Sequence, residues 1–413
     1  MPFVEFTKDM KKEYTIIAPD IFPVHMELIR EIMTMSGYKI DVVRYQGKKV
    51  IDLGLKLFHN DMCYPAICML GQLMYALTCG DYDPKKSALI MFQTGGGCRA
   101  SNYIWLLRKA LENMGLGYVP VISISLNSIE KHEGFRLTPS MAVKGITAIV
   151  YGDMLMLLKN QVKPYEINKG QTDSLTADWS ARLTNQFKQN KGLTLKSIQK
   201  NLTKIADDFS KIPVSDEKKT KVGIVGEIYV KYSSFGNNDL ENFLLSQDCE
   251  YMVPGVLGFF EYCFANMVTD YEYYGASQKT RLLGQLGQAV GEKLEKIMLD
   301  VLSNYPRFIP PSPFEDVKKA ANIVIDKGVK MGEGWLLPAE TAKLIEKGYS
   351  NIVCAQPFGC LPNHIVGKGV IRTLRELYPN ANICPIDYDP GASRVNQENR
   401  IKLMLAVARE EAK

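Results

Sequence analysis

The chain has 413 residues, 46% hydrophobic and 23% charged, with a formal net charge of +5. That length exceeds one ordinary hydrophobic core and predicts two or three domains, while the small charge and the lack of a dense Lys/Arg stripe beside aromatics give a nucleic-acid role no support. The N-terminus lacks the apolar core of a signal peptide, and the longest apolar run, around Ile146 to Leu158, is broken by Asp153 and Lys159, which predicts a cytoplasmic protein without membrane spans.

In chain order, a β-rich run at Tyr14–Ala18, an apolar helical pattern from His25 to Met35 ended by Gly37, and a strand at Lys39–Val43 make one βαβ unit. A helix from Pro65 to Cys79, a strand at Ala88–Phe92, a glycine loop at Gly95–Gly97, a helix from Ser101 to Met114 and a strand at Val119–Ser125 continue the theme. Residues 1–135 therefore read as a doubly wound α/β domain. Residues 136–212 read as a helical segment, with polar breaks near Lys163–Gln171 and Gln189–Gly192, and the polar stretch Pro213–Thr220 reads as a linker. Residues 213–413 open a second α/β region with a strand at Lys221–Val225, followed by GEIYVKYSSFGNN as an exposed loop and helices at Leu257–Asn266, Gln278–Ser303 and Phe314–Lys327. The region closes with a strand at Asn351–Cys354, a cysteine loop, a helix at His364–Leu377, a strand at Asn382–Ile386 and a helix from about Ser393 to the end. The fold class is thus α/β: Rossmann-like doubly wound domains with mostly parallel sheets and a helical insertion. No internal repeat of fixed period and no low-complexity tract is evident.

Nine scattered cysteines and only four histidines predict free thiols or sulfur ligands, not a disulfide framework, and point to zinc or an iron–sulfur cluster. Three of them, Cys63 in HNDMCYP, Cys98 in QTGGGCRASNY and Cys360 in QPFGCLPNH, sit in loops rich in Gly, Pro and Asn just before a helix. Pro65 is placed to enter one helix and Asn363 to cap another. A thiol at a helix N-terminus meets the positive end of the dipole, which favours the thiolate, both nucleophile and metal ligand. The spacings Cys63–Cys68 and Cys354–Cys360 match neither a paired zinc ribbon nor a ferredoxin run. Cys68, Cys79 and Cys249, on helices or at their ends, and Cys384, in a strand, read as small core hydrophobes, with Cys263 less clear.

The TGGGCR loop could instead cradle a phosphate with its amides and Arg99, although it lacks the features of a P-loop or dinucleotide fingerprint. No complete nucleotide site is present. Glu333 and Glu340 in MGEGWLLPAE read as a helix cap and a solvated face more readily than as acid/base groups. His59 and His364 lie near candidate cysteines, where either could hydrogen-bond a sulfur or simply pack. Asp387, Asp389, Gly391 and Asn396 read as the turn and cap of the last helix.

The strings HNDMCYP, QTGGGCRASNYIWLLRKAL, GEIYVKYSSFGNNDLENFL, CAQPFGCLPNHIVGKG and IDYDPGASRVNQENRIKLM together resemble the C-terminal part of the large activator-type (CoA-substrate-specific enzyme activase) proteins of the 2-hydroxyacyl-CoA dehydratase family. More distantly, the chain is similar to the dehydratase and benzoyl-CoA reductase subunits and to the double-cubane cluster proteins. The resemblance implies Rossmann-like domains that hold an iron–sulfur cluster through cysteines from separate loops, in an anaerobic setting. Residue by residue, it assigns the ligands to Cys63, Cys98 and Cys360. Cys354, and after it Cys263, would join only if the cluster is the 8Fe–9S double-cubane kind and not 4Fe–4S. It further implies a separate ATP-dependent activator of the actin/Hsp70 type as electron donor, since no ATPase module is seen on this chain, together with an acyl-CoA substrate and a homodimer. The expected function is low-potential reductive or radical chemistry on an acyl-CoA or other small molecule. Two alternatives stand beside it: a non-catalytic cluster-carrying relay or assembly subunit, and a phosphate-ligand-binding α/β protein.

Overall fold

The structure, a computed structural model, describes residues 3–59, 61–94, 96–124 and 130–411. Of the sequence expectations, Gly95 of the glycine loop, the last residue of the strand expected to end at Ser125, and residues 412–413 lie outside the described residues. The architecture is Rossmann-like α/β. One sheet contains β1 (Thr15–Pro19), β2 (Lys39–Val43), β3 (Ser87–Phe92) and β4 (Val121–Ile124) in the order β2-β1-β3-β4. The other contains β5 (Thr220–Gly226), β6 (Cys249–Met252), β7 (Asn351–Pro357) and β8 (Asn382–Tyr388) in the order β6-β5-β7-β8. Every pairing is parallel, with registers such as Ile90↔Ile122 and Val225↔Cys354. Parallel strands need helical crossovers, which cover both faces and bury the strands. β7 accordingly is buried along its whole length. The two sheets share one strand order, a duplication of architecture that leaves no periodic trace in the sequence.

Between the sheets in sequence lie the helices Pro139–Val162, Gln171–Lys188 and Leu195–Ser210. The first starts at Thr138, whose hydroxyl accepts the Met141 N–H at 3.2 Å, with Pro139 in its first turn. Extended to Tyr165, it is the single described helix long and apolar enough to cross a membrane, with a mean hydropathy of 1.5, yet 78% of its apolar window is buried inside the protein. It is a core helix. Asp153, which interrupts its apolar run, is buried and fully engaged: it bonds His25 Nε2 at 2.9 Å and accepts the N–H groups of Val256 at 2.7 Å and Leu257 at 2.8 Å. One carboxylate thereby ties the first sheet's helix, the helical insertion and the Val256–Tyr274 helix of the second unit together.

Several local expectations are corrected. The helices Lys48–Phe58 and Leu336–Glu346 and the strand β6 were not anticipated, and Cys249 opens β6 and does not lie on a helix. The segment after β5 is no exposed loop: it forms the buried helical turn Ile228–Tyr232. The expected helix His364–Leu377 is broken into a short turn at Leu361–Asn363, a π turn at His364–Lys368 and a helix at Ile371–Leu377. The cause is the buried Gln356 side chain, whose Nε2 donates to the Asn363 carbonyl at 3.3 Å and lies where a Cβ on Gly367 would be. A side chain pressed into the helical ladder widens it locally.

Candidate functional site: three thiols at the seam of two sheets

In each sheet the chain leaves the first strand in one direction and returns on its other side, so a switch point falls between β1 and β3 and between β5 and β7. Ligands of open α/β sheets bind at such points, outside the carboxyl ends of the strands. Cys98 follows β3 and opens the turn Arg99–Asn102; Cys360 follows β7 and opens the turn Leu361–Asn363. Glu227 follows β5 directly. Cys63 comes from the bend between the helices Lys48–Phe58 and Tyr64–Thr78. Those two helices pack so closely that a Cβ on Gly54 would stand 2.3 Å from the Ile67 carbonyl oxygen, and one on Gly71 would stand 2.7 Å from that of Val50.

The loops interlock. Tyr64 N–H donates to the Phe358 carbonyl at 3.0 Å, and a Cβ on Gly359 would lie 3.2 Å from Cys63 Cα. Arg99 donates to the Asp61 carbonyl, joining the Cys98 loop to the Cys63 loop. Gly97 N–H donates to Met331 Sδ at 3.3 Å, joining the Cys98 loop to the strap that precedes the Leu336–Glu346 helix. These last two contacts also occupy donors that an anion in the TGGGCR loop would require.

The sulfurs carry polar partners. Tyr103 OH and Cys63 Sγ share a hydrogen bond of 2.9 Å, Ala100 N–H donates to Cys98 Sγ at 3.5 Å, and Asn363 Nδ2 donates to Cys360 Sγ at 3.3 Å. Asn363 was expected to cap a helix; its amide instead bridges Cys360 and Glu333, donating to Glu333 Oε2 at 2.8 Å. Glu333 Oε1 accepts the Ile228 N–H at 2.9 Å, and Glu227 Oε2 accepts the Val230 N–H at 2.9 Å. Sequence reasoning placed Glu333 and Glu340 at a cap and a solvated face. Both are buried at 6% exposure, and Glu340 forms an ion pair with the buried Lys231 at 3.1 Å.

Burial dominates the electrostatics and overturns the expectation of thiolates held by helix dipoles. It pushes the Cys63 thiol up, with Tyr103 and the Ala66 N–H opposing. Burial pushes Cys98 up to about 12, and the charges of Glu333, Cys63 and Glu227 add to it. Cys360 is raised by burial and then by Glu333 and Glu227. Burial and the neighbouring Glu333 lift Glu227 to about 8, and burial lifts Glu333 as well. Cys63, Cys98, Cys360, Glu227 and Glu333 therefore share one electrostatic neighbourhood. Glu227 was the member missed from sequence, and a Glu ending a glycine-closed strand was the only available signal.

Cys354 is placed apart: its Sγ accepts from Gln356 Nε2 at 3.3 Å, and its charged neighbours are Asp387, Lys368 and Cys384. Cys263, half-buried on the Val256–Tyr274 helix, feels Glu333 but no other cysteine. His59 is exposed and pairs with Asp61 at 3.2 Å, and Asp387 pairs with Lys368 at 2.7 Å. Among the described residues no three His, Cys, Asp or Glu side chains are grouped as ligands of a metal ion. A polynuclear cluster asks for something else, separate thiolates at separate corners. Three loop thiols with hydrogen-bond partners on their sulfurs are chemically suited to that demand. No family model matches the chain, and no curated protein is significantly similar to it.

Proposed function

We propose that the protein is an iron–sulfur component of reductive or radical chemistry on a small molecule such as an acyl-CoA, taking low-potential electrons from a separate ATP-dependent activator. The observation that carries this reading is that the loops of Cys63, Cys98 and Cys360, from both halves of the chain, interlock beside two buried glutamates whose charges act on these thiols. A bound cluster would supply one-electron chemistry at low potential. Cys63, Cys98 and Cys360 would hold it, with Cys354 recruited only for a larger assembly. Asn363 donates a hydrogen bond to Cys360 and Tyr103 OH shares one with Cys63, the kind of contact that tunes a metal centre and orients its ligands. Glu227, lifted to about 8 by burial and by Glu333, keeps a proton at the same place in the neutral range, and burial raises Glu333 as well. Met331, Phe358, Leu361 and Ile365 are exposed apolar side chains on the strap and the Cys360 loop, a surface suited to a protein donor.

Anaerobic purification or reconstitution, with iron and sulfide analysis and EPR of the reduced protein, tests the reading. The expected result is stoichiometric iron and sulfide with a reduced-cluster signal, and ATP-dependent turnover once an activator is added. Protein that stays free of iron and sulfide after anaerobic reconstitution refutes it, whereas a cluster without turnover assigns the chain to the relay role.

A further inference from the structure

A second concave site lies beyond the edge strand β6, away from the three loop thiols. It is a cleft of about 100 Å³ lined by the carboxyl end of β6 and the helices Val256–Tyr274, Gln278–Leu302 and Leu336–Glu346. Its apolar walls come from residues such as Met156, Met298 and Phe314. Most charges at its border are already matched: Asp153 by His25 and two backbone amides, Glu340 by Lys231, Lys343 by Glu346. Lys347 lies half-buried and without an ion pair among the described residues.

Two carboxyls are not matched by any cation. Glu261 is 2% exposed and its Oε1 has no hydrogen-bond partner, although it lines the cavity. Glu295, on the facing helix, accepts only the Phe314 N–H at 2.8 Å. The buried Ser312 Oγ, also in the lining, has no partner either. Burial pushes Glu261 up to about 9, with Glu295, Glu292 and Asp153 adding and Lys318 opposing, and burial pushes Glu295 up to about 7, with Glu292 and Asp316 adding. An unpaired buried carboxyl costs free energy that a bound partner recovers.

We infer that this cavity binds a small apolar primary amine as its ammonium ion, the head on Glu261, Glu295 and Ser312 and the alkyl chain between the methionines and Phe314. A primary ammonium carries three N–H donors, and the site offers three under-used acceptors. The size fits a short chain, since an apolar cavity of about 150 Å³ accommodates benzene. The inference uses none of the residues of the proposed cluster and stands or falls separately from it.

The test is calorimetry and thermal denaturation of the whole 413-residue chain in phosphate, with butylammonium, tetramethylammonium, potassium and 1-butanol as probes. Butylammonium should bind saturably, raise the melting temperature by mass action and release protons at about pH 7.5, because Glu261 ionises beside the cation. The other three probes should give no saturable response. Glu261→Gln and Glu295→Gln keep the shape of the neutral acid and should each weaken butylammonium on the order of tenfold or more, the worth of a charge-assisted hydrogen bond. No saturable binding to the wild-type chain, equal binding of 1-butanol, or undiminished binding to Glu261→Gln overturns the inference; the probe comparison needs no variant to fold.

Discussion

Glu261→Gln in amine-free buffer makes a quantitative prediction about stability. The carboxyl ordinarily titrates at 4.5 and is lifted by burial to about 9 in the folded chain. Between those values the folded state holds a proton that the unfolded state has lost, so stability falls as pH rises. Each unit is worth about 1.4 kcal/mol, so from about pH 5.5 to about pH 7.5 the wild-type chain should lose about 2.7 kcal/mol through this one group. Glutamine does not titrate. Its buried amide adds a pH-independent offset on the order of 1–3 kcal/mol, so the slope is the diagnostic and not the difference at any one pH. Urea denaturation of both proteins across that range should show their stabilities diverging in favour of the variant as pH rises. Parallel pH profiles would mean that Glu261 finds a partner in solution, and would refute the burial argument.

Three further outcomes follow from packing and charge. Cys98→Ser should lose iron on anaerobic reconstitution, whereas Cys79→Ser, at the end of the Tyr64–Thr78 helix, should retain it, as read by iron content per chain. Lys231→Met strands the buried Glu340 and should destabilise by about 3–5 kcal/mol in urea melts near neutral pH; Lys231→Met with Glu340→Leu should recover most of it. Gly226→Ala should destabilise by more than about 3 kcal/mol, because φ is +147° there and the new Cβ would stand 2.0 Å from the Ala355 carbonyl oxygen. Near-normal folding of that variant would mean β5 can shift relative to β7.

The strands that were legible in the sequence are β-branched runs bounded by glycine or proline, such as Lys39–Val43, where local pattern and tertiary demand agree. β6 was not, because CEYM carries a glutamate in its middle. That carboxylate is tolerated since Tyr165 OH donates to it at 2.7 Å and Tyr349 OH donates as well, partners no local window contains. The helix Lys48–Phe58 was hidden for another reason: it begins after Gly47 without any side-chain cap. The candidate site divides the same way. Glycine, proline and asparagine betray the cysteine loops locally, whereas Glu227 and Glu333 come together only through pairing of β5 with β7 and the strap that follows far along the chain.

Another chemical expectation that failed is instructive at Cys98 and Cys360, where the helix dipole was assigned to favour thiolates. The dipole acts through unsatisfied N–H groups of a sustained helix, and contributes about 0.3–1 kcal/mol near an exposed terminus. Cys360 opens a turn of three residues and Cys98 a turn of four, so little dipole is available. Burial and two neighbouring carboxyls act in the opposite direction, and at Cys98 they carry the thiol up to about 12. The metal-free chain should therefore present protonated, unreactive thiols there at neutral pH. Iodoacetamide labelling read by mass spectrometry should be slower at Cys98 than at a free cysteine in solution, and should accelerate as pH rises, since the thiolate is the nucleophile. Rapid labelling of Cys98 at neutral pH, ahead of a free thiol, would show that some cation or amide outweighs burial at this seam.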